Sequence, residues 1–285
     1  MIKNYLSLVK FSHTIFALPF AMIGFFWAWF DLSVNKFPFK LLFLVLLCMV
    51  FARNAAMGFN RYIDRKFDKQ NQRTKSREIP AGIITPTAAL VFVIVNCLLF
   101  CLTTFFINSL AFCLSFVALA VVLGYSYTKR FTSLCHFILG MGLAIAPTGA
   151  YIALTGEFAL LPILLSGLVL FWVGGFDILY ALPDDGFDKE YNLYSIPAWL
   201  GRKKSMILSI TVHIIPAAIA ILIGCLFNRG GLYWAGTIIF ISLLIYQHTI
   251  VSPNNLTRLN AAFGTVNGIA SVCFALFTIS DLFLI

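Results

Sequence analysis

The sequence predicts an all-α, polytopic integral membrane protein: nine transmembrane helices around a central cavity that opens to the cytoplasmic side, in a single domain over residues 1–285. Three observations lead there. Hydrophobic residues make up 61% of the chain and charged residues 11%, against about 25% charged in an ordinary soluble domain. Apolar runs of roughly 20 residues, the length a helix needs to cross ~30 Å of hydrocarbon, recur along nearly the whole length. The Lys and Arg residues, finally, gather on one side of the spans these runs define.

The first run, about 12–30, follows Lys3 and Lys10 and has the look of a leader peptide. It has no small-residue cleavage site and continues to Phe30, so an uncleaved first span is expected. The second, 40–59, leads into the most charged stretch of the protein. The third and fourth, 86–107 and 109–124, are divided only by Asn108 and Ser109. The remaining five cover 134–154, 159–180, 205–227, 231–251 and 259–280. Seven cysteines (Cys48, Cys97, Cys101, Cys113, Cys135, Cys225, Cys273) lie in or beside these runs, form no CxxC pair and have no histidine at metal-ligand spacing. They read as small apolar packing residues.

With the N-terminus in the cytoplasm, sixteen of the twenty Lys and Arg residues fall on that side. Lys36, Lys40 and Arg229 fall opposite, and Arg53 lies within a span. The positive-inside rule then orients the chain in the cell's inner membrane with its N-terminus and the connections after the second, fourth and sixth spans cytoplasmic. It also explains the net charge of +9 without a nucleic-acid partner.

Those three connections carry the polar chemistry. The stretch NRYIDRKFDKQNQRTKSREIP, 60–80, holds ten of the 31 charged residues, of both signs. Within it Asn60, Asp64 and Asp68 are spaced i, i+4, i+8, which on a helix advances about 40° per step and aims all three the same way. In FDILYALPDDGFDKE, residues Asp177, Tyr180, Asp184 and Asp188 again fit one helical face, with Asp177 at membrane depth, where a carboxylate is costly unless partnered. One such ladder could be a frayed, solvated helix end. Two on the same membrane side point to a shared site, because clustered carboxylates repel unless a cation sits among them, and hard oxygen ligands favour Mg²⁺ or Ca²⁺. Mg²⁺ completes its shell with water and substrate phosphate, so a phosphorylated ligand is expected. Arg73, Arg77, Lys129 and Arg130 lie in the same connections and suit phosphate oxygens, although each alone could be a positive-inside residue. Arg53, seven residues before Asn60, shares the ladder's face and is a further candidate.

At these residues the chain resembles the UbiA-type intramembrane prenyltransferases. The family's NxxxDxxxD motif stands as Asn60, Asp64 and Asp68, followed by Arg73, Thr74, Arg77, Pro80 and Gly82 of its RT..R..P.G segment. Its DxxYxxxDxxxD motif stands as Asp177, Tyr180, Asp184 and Asp188, and GYSYTKR matches its tyrosine and Lys-Arg turn with Tyr125, Lys129 and Arg130. The segments KFSHTIFALPFAMIG, YALPDDGFD and YSIPAWLG look like the branch acting on aromatic quinone precursors such as 4-hydroxybenzoate or 1,4-dihydroxy-6-naphthoate.

The resemblance implies Mg²⁺ held by Asp64, Asp68, Asp184 and Asp188, and transfer of a polyprenyl group from a polyprenyl diphosphate to an aromatic acceptor in ubiquinone or menaquinone biosynthesis. Asn60, Asp177 and Tyr180 complete the implied catalytic set; Arg53, Arg73, Arg77, Tyr125, Lys129 and Arg130 would bind the diphosphate. His13 is a possible acceptor contact or a plain interfacial residue, whereas His136, His213 and His248 show no usable pattern. Three departures matter. Pro183 removes an amide donor and should kink or end the helix between Tyr180 and Asp184. Tyr194 stands where many relatives carry a basic residue before Ser195. Asp184, Asp185 and Asp188 also spell the DDxxD of soluble terpenoid enzymes, but a continuous helix would turn Asp185 about 100° from Asp184, so the match reads as coincidence. The competing class is a membrane transporter or binding protein for an anionic, phosphorylated solute, supported by Arg53 and Asp177 within apolar runs. Against it, transporter sites lie near the bilayer midplane, whereas these clusters gather toward one face.

Overall fold

The computed structural model describes residues 2–9, 15–33 and 36–284, and these form helices without strands. In order they are α1 (Ile2–Leu8), α2 (Leu18–Asp31), α3 (Phe39–Gln70), α4 (Pro86–Phe105), α5 (Ser109–Thr128) and α6 (Cys135–Thr155). There follow α7 (Leu160–Tyr180), α8 (Asp185–Glu190), α9 (Ile196–Leu226), α10 (Gly231–Thr249) and α11 (Asn267–Leu282). A short 3₁₀ turn at Leu182–Asp184 joins α7 to α8, and a π-helical turn at Ala261–Val266 leads into α11.

Each of the nine expected spans corresponds to one of these helices. Seven described helices are long and apolar enough to cross a membrane, namely α3, α4, α5, α6, α7, α9 and the run Ala261–Leu282. The protein is a multi-pass integral membrane protein. The other two expected spans fall short of that measure: α2 has only 14 residues, below the roughly 17 that a crossing needs, and α10 has 19 but closes on Gln247 and His248.

Local chemistry sets the ends. Thr85 caps α4 by accepting the Ala88 N–H at 3.2 Å, with Pro86 in the first turn, where no intrahelical donor is required. Gly156 ends α6 in the left-handed region at φ 72°. Two helices outrun their expected spans, and one expected ladder is broken. The second span's helix does not stop at 59 but continues to Gln70, because no breaker intervenes. The seventh begins at Ile196 instead of 205, since Ser195 caps it and Pro197 suits its first turn; it breaks at Gly201, φ 75°, ψ 165°. The helix carrying Asp177 and Tyr180 ends at Tyr180, just before Pro183, so the second ladder is not one continuous helix.

The chain separates into two compact units. One comprises Phe39–Tyr127 with the N-terminal helix. Here α3 packs on α4 and is tied to it by Asn54 Nδ2 donating to Asn96 Oδ1 at 3.0 Å. Phe59 of α3 meets Tyr127 of α5 with ring centroids 5.8 Å apart. The other comprises Ile15–Pro38 and Thr128–Ile285. In it α6 packs on α7 and α2, α7 on α9, and α10 on α11. Its core is aromatic, with Phe20, Trp172, Phe240 and Phe274 fully buried. Trp172 Nε1 donates to Asn267 Oδ1 at 2.8 Å, and Asn267 Nδ2 to Gln247 Oε1 at 2.9 Å, so this buried amide chain satisfies its polar atoms internally. All seven cysteines are free.

Candidate active site

In the first unit the uninterrupted α3 puts Asn60, Asp64 and Asp68 on one face, as the spacing requires. Asn60 Nδ2 donates to Asp64 Oδ2 at 3.1 Å. Asp68 is buried; its Oδ1 accepts from Arg77 Nη1 at 2.6 Å, and its backbone oxygen accepts from the Thr74 hydroxyl at 3.1 Å. The segment after α3 folds back through turns that include Thr74 N–H to Asn71 O and Arg77 N–H to Thr74 O, and this return lets Arg77 reach Asp68 nine residues earlier. Gly82 closes the segment at φ 74°, a conformation that side-chain-bearing residues resist. Arg73 is exposed, and Tyr125 sits half-buried in the last turn of α5. Arg53 Nη2 donates to the Val9 carbonyl at 3.3 Å, which ties the N-terminal segment to mid-α3. Arg61, 5% exposed, interacts electrostatically with Asp68 and Arg77. It passes in the sequence for one more positive-inside residue, and only its burial sets it apart.

In the second unit the broken ladder still presents buried carboxylates. Asp184 and Asp188 are both buried, Asp188 completely. Asp188 Oδ1 lies 2.7 Å from Lys129 Nζ, and its Oδ2 accepts from the Ser195 hydroxyl at 2.7 Å. Burial by itself would lower the Lys129 pKa; the Asp188 carboxylate more than offsets this and raises it. Arg130 is half-buried beside Lys129. Tyr194 does not contribute a cation; its N–H donates to the Lys129 carbonyl at 2.7 Å while its ring is exposed. Asp185 is taken by Arg202, whose Nη2 and Nε donate to its two oxygens at 2.8 and 3.2 Å. That bidentate pair separates Asp185 from Asp184 and Asp188, in keeping with the coincidental DDxxD.

Asp177, in the last turn of α7, accepts from His136 Nδ1 at 2.7 Å. Tyr180 stacks on Phe263, centroids 4.0 Å apart, at the edge of a cluster with Phe16, Phe176 and Trp172. Besides Arg61, His136 and Ser195 are polar residues that sequence reasoning left out of the site. Their partners lie 41 and 7 residues away on other elements, and no single-helix period reports such pairings. His13 lies outside the described residues.

The aspartates suit a hard divalent cation. Asp68 Oδ2 is buried without a hydrogen-bond partner, an acceptor with capacity to spare. Asp188 and Asp184 offer side-chain carboxyl oxygens in a buried setting, the ligand type Mg²⁺ takes. Neither unit by itself gathers three or more His, Cys, Asp or Glu side chains about a metal position among the described residues. Mg²⁺ bound through one or two carboxylates with water and phosphate oxygens has no need of such a cage.

The chain is similar to known proteins along most of its length. The chain is 29% identical over 235 residues to a 4-hydroxybenzoate octaprenyltransferase of Nitrosospira multiformis, covering 82% of this chain and 81% of the relative. It is 30% identical over 243 residues to the 4-hydroxybenzoate octaprenyltransferase of Nitrosomonas europaea, covering 85% and 83%. Its fold matches the apo structure of a UbiA homolog from Aeropyrum pernix K1 with a TM-score of 0.80 and 25% identity over 95% and 97% of the two chains. It also matches that of a UbiA homolog from Archaeoglobus fulgidus bound to GPP and Mg²⁺, with a TM-score of 0.74 and 18% identity over 98% and 99%. The model of the UbiA prenyltransferase family matches residues 17–277, and the chain therefore belongs to the UbiA prenyltransferase family.

Proposed function

We propose that the protein transfers a polyprenyl group from an isoprenyl diphosphate to an aromatic quinone precursor of the 4-hydroxybenzoate or 1,4-dihydroxy-6-naphthoate type, with Mg²⁺, in ubiquinone or menaquinone biosynthesis. The observation that carries it is the pair of aspartate motifs in family order, each with a buried carboxylate held by a neighbouring cation: Asp68 by Arg77 and Asp188 by Lys129. The names of the curated relatives support the reaction, and the Archaeoglobus homolog supports the metal.

Asp64, Asp68, Asp184 and Asp188 are the residues that would hold Mg²⁺. When bound, it neutralises charge on the departing diphosphate. Arg77 and Lys129 are already aimed at these carboxylates and bind the phosphate oxygens beside them; Arg73, Arg130, Arg53 and Tyr125 complete the set. Asn60 orients Asp64 through its 3.1 Å hydrogen bond. An acceptor ring carbon bonds to the allylic carbon as that carbon's C–O bond breaks with its electron pair on the diphosphate, and the ring proton is released. Developing allylic cation needs a dry, aromatic wall, which Tyr180, Phe263, Phe176 and Phe16 supply. The whole chain serves as one prenyltransferase domain of the inner membrane, with N-terminus and aspartate motifs cytoplasmic so that the polyprenyl tail stays in hydrocarbon.

The test is a radiolabelled geranyl diphosphate assay in membranes, with and without Mg²⁺, against a panel of hydroxybenzoates and dihydroxynaphthoates. Mg²⁺-dependent prenylated product is expected. Asp64→Asn and Asp184→Asn should each abolish turnover in protein that still folds and inserts. Retention of more than about a tenth of the native rate, a barrier change under ~1.4 kcal/mol, would remove that residue from the ligand set. No product with any phenolic acceptor, together with solute counterflow in vesicles, would make the protein a transporter.

A further inference from the structure

His136 lies in the first turn of α6, 2% exposed, and neither of its ring nitrogens bonds Asp184 or Asp188. Its two ring nitrogens are nonetheless both used. Nδ1 lies 2.7 Å from Asp177 Oδ2, and Nε2 lies 3.3 Å from the backbone nitrogen of Ile196. A backbone N–H can only donate, so Nε2 is the bare acceptor and Nδ1 carries the proton to Asp177. Ile196 is the first residue of α9, and its N–H is one of the four that a helix cannot satisfy internally. The preceding residue, Ser195, is fully buried and caps α9 by accepting the Ala198 N–H at 3.3 Å. The same hydroxyl donates to Asp188 Oδ2 at 2.7 Å.

The strap 193–196 is thus fixed residue by residue. Leu193 N–H reaches the Asp188 carbonyl at 2.8 Å, Tyr194 N–H the Lys129 carbonyl at 2.7 Å, Ser195 the Asp188 carboxylate, and Ile196 the imidazole. Three of these four bonds hold Asp188 or the lysine paired with it. The fourth anchors the strap to α6 and, through Asp177, to α7.

We propose that His136 is a positioning residue for Asp188: pinned by Asp177 through Nδ1, it captures the Ile196 amide through Nε2 and so fixes where Ser195 holds the carboxylate that would ligate the cation. Asp177, which the family resemblance places in the catalytic set, then acts through position and not as a ligand. This rests on the reading of Asp188 as a metal ligand.

The side-chain amide of Asn can stand in for Nδ1 and that of Gln for Nε2, which separates the two bonds. Full-length protein in detergent is titrated with Mn²⁺, followed by electron paramagnetic resonance, in the presence of geranyl diphosphate; KM, kcat and thermal unfolding are measured on the same samples. His136→Asn, which loses the acceptor for Ile196, should weaken Mn²⁺ about tenfold, the usual cost of losing a supporting partner of a ligand, and raise the diphosphate KM more than it lowers kcat. His136→Gln should recover at least half of that loss on a logarithmic scale. Ser195→Ala should weaken Mn²⁺ comparably, and the H136N/S195A double variant should be no weaker than the worse single variant by more than about twofold, because both act on one carboxylate. Equal losses in H136N and H136Q, multiplying effects in the double variant, or unchanged Mn²⁺ affinity would overturn the proposal. Should H136N not fold, Ile196→Pro removes the same bond from the amide side at a position where proline is tolerated and Ser195 is already extended, φ −143°, ψ 158°. Native Mn²⁺ affinity in that variant would equally overturn it. A native protein that binds neither Mn²⁺ nor geranyl diphosphate would instead sink the prenyltransferase reading itself.

Discussion

Asp188 is wholly buried, and Lys129 and Ser195 stand at 2.7 Å on either oxygen, the partners that a buried carboxyl group requires. For the lysine the exchange is mutual. Burial lowers its pKa and Asp188 more than restores it, to above the ordinary 10.5. A raised lysine pKa stabilises the pair at every pH below the unfolded value and loses that contribution only as pH climbs through the folded one. The pair is therefore intact across neutral and mildly alkaline solution, and Lys129 should impose no inflection on the diphosphate KM between about pH 7 and 9. Lys129→Met removes both the proposed phosphate partner and the cation paired with Asp188. Geranyl diphosphate KM should rise at least about tenfold, while Mn²⁺ in its absence should bind more tightly than to the native protein. Weaker Mn²⁺ binding would mean that Lys129 supports the carboxylate's geometry instead of occupying it. At this scale the sequence was legible where chemistry follows one helix's period, as for Asn60, Asp64 and Asp68. It was silent on His136 and Arg61, whose roles depend on burial and on partners from other elements.

Elements were legible in kind more than in extent. Apolar runs locate helices, but hydropathy does not see a helix that continues into water: the polar last turns of α3 were readable only from the aspartate spacing, and the capped start of α9 was missed. Breakers did better: Pro183 predicted the end of α7, and the helix stops at Tyr180. What the caps contribute can be measured on α10, whose first turn rests on buried Asp281. That carboxylate accepts the Gly230 N–H at 3.0 Å through Oδ2 and the Tyr233 N–H at 3.1 Å through Oδ1. Asp281→Ala should cost about 2–3 kcal/mol, visible as a lower unfolding temperature in detergent, and Asp281→Asn should cost less because one acceptor survives. Helix contacts have a different weak point. A Cβ on Gly140 of α6 would run into the backbone oxygen of Leu170 on α7, an atom that cannot step aside without moving the helix. Gly140→Ala should therefore destabilise by about 1–3 kcal/mol although alanine is the better helix former. An unchanged unfolding temperature would show that α6 and α7 can separate at small cost.

For the whole molecule, family and all-helical class were readable from composition and two motifs, because both are properties of the chain and not of its packing. Sidedness is a stronger claim, since it depends on where sixteen of the twenty basic residues lie relative to the spans. It can be tested at two exposed lysines, Lys66 in the last turns of α3 and Lys36 just before that helix. The background is a protein with all seven native cysteines replaced by Ser or Ala, a necessary step because Cys113 and Cys225 are exposed. In that background Lys66→Cys should react with a membrane-impermeant maleimide in inverted vesicles and not in intact cells or spheroplasts. Lys36→Cys should do the reverse, since α3 carries its two ends to opposite compartments. Reaction of both from one side would mean that α3 does not cross. Reaction of Lys66→Cys from outside would place Asp64 and Asp68 on the external face, away from cytoplasmic isoprenyl diphosphate, and a polyprenyl donor would then be untenable for this chain.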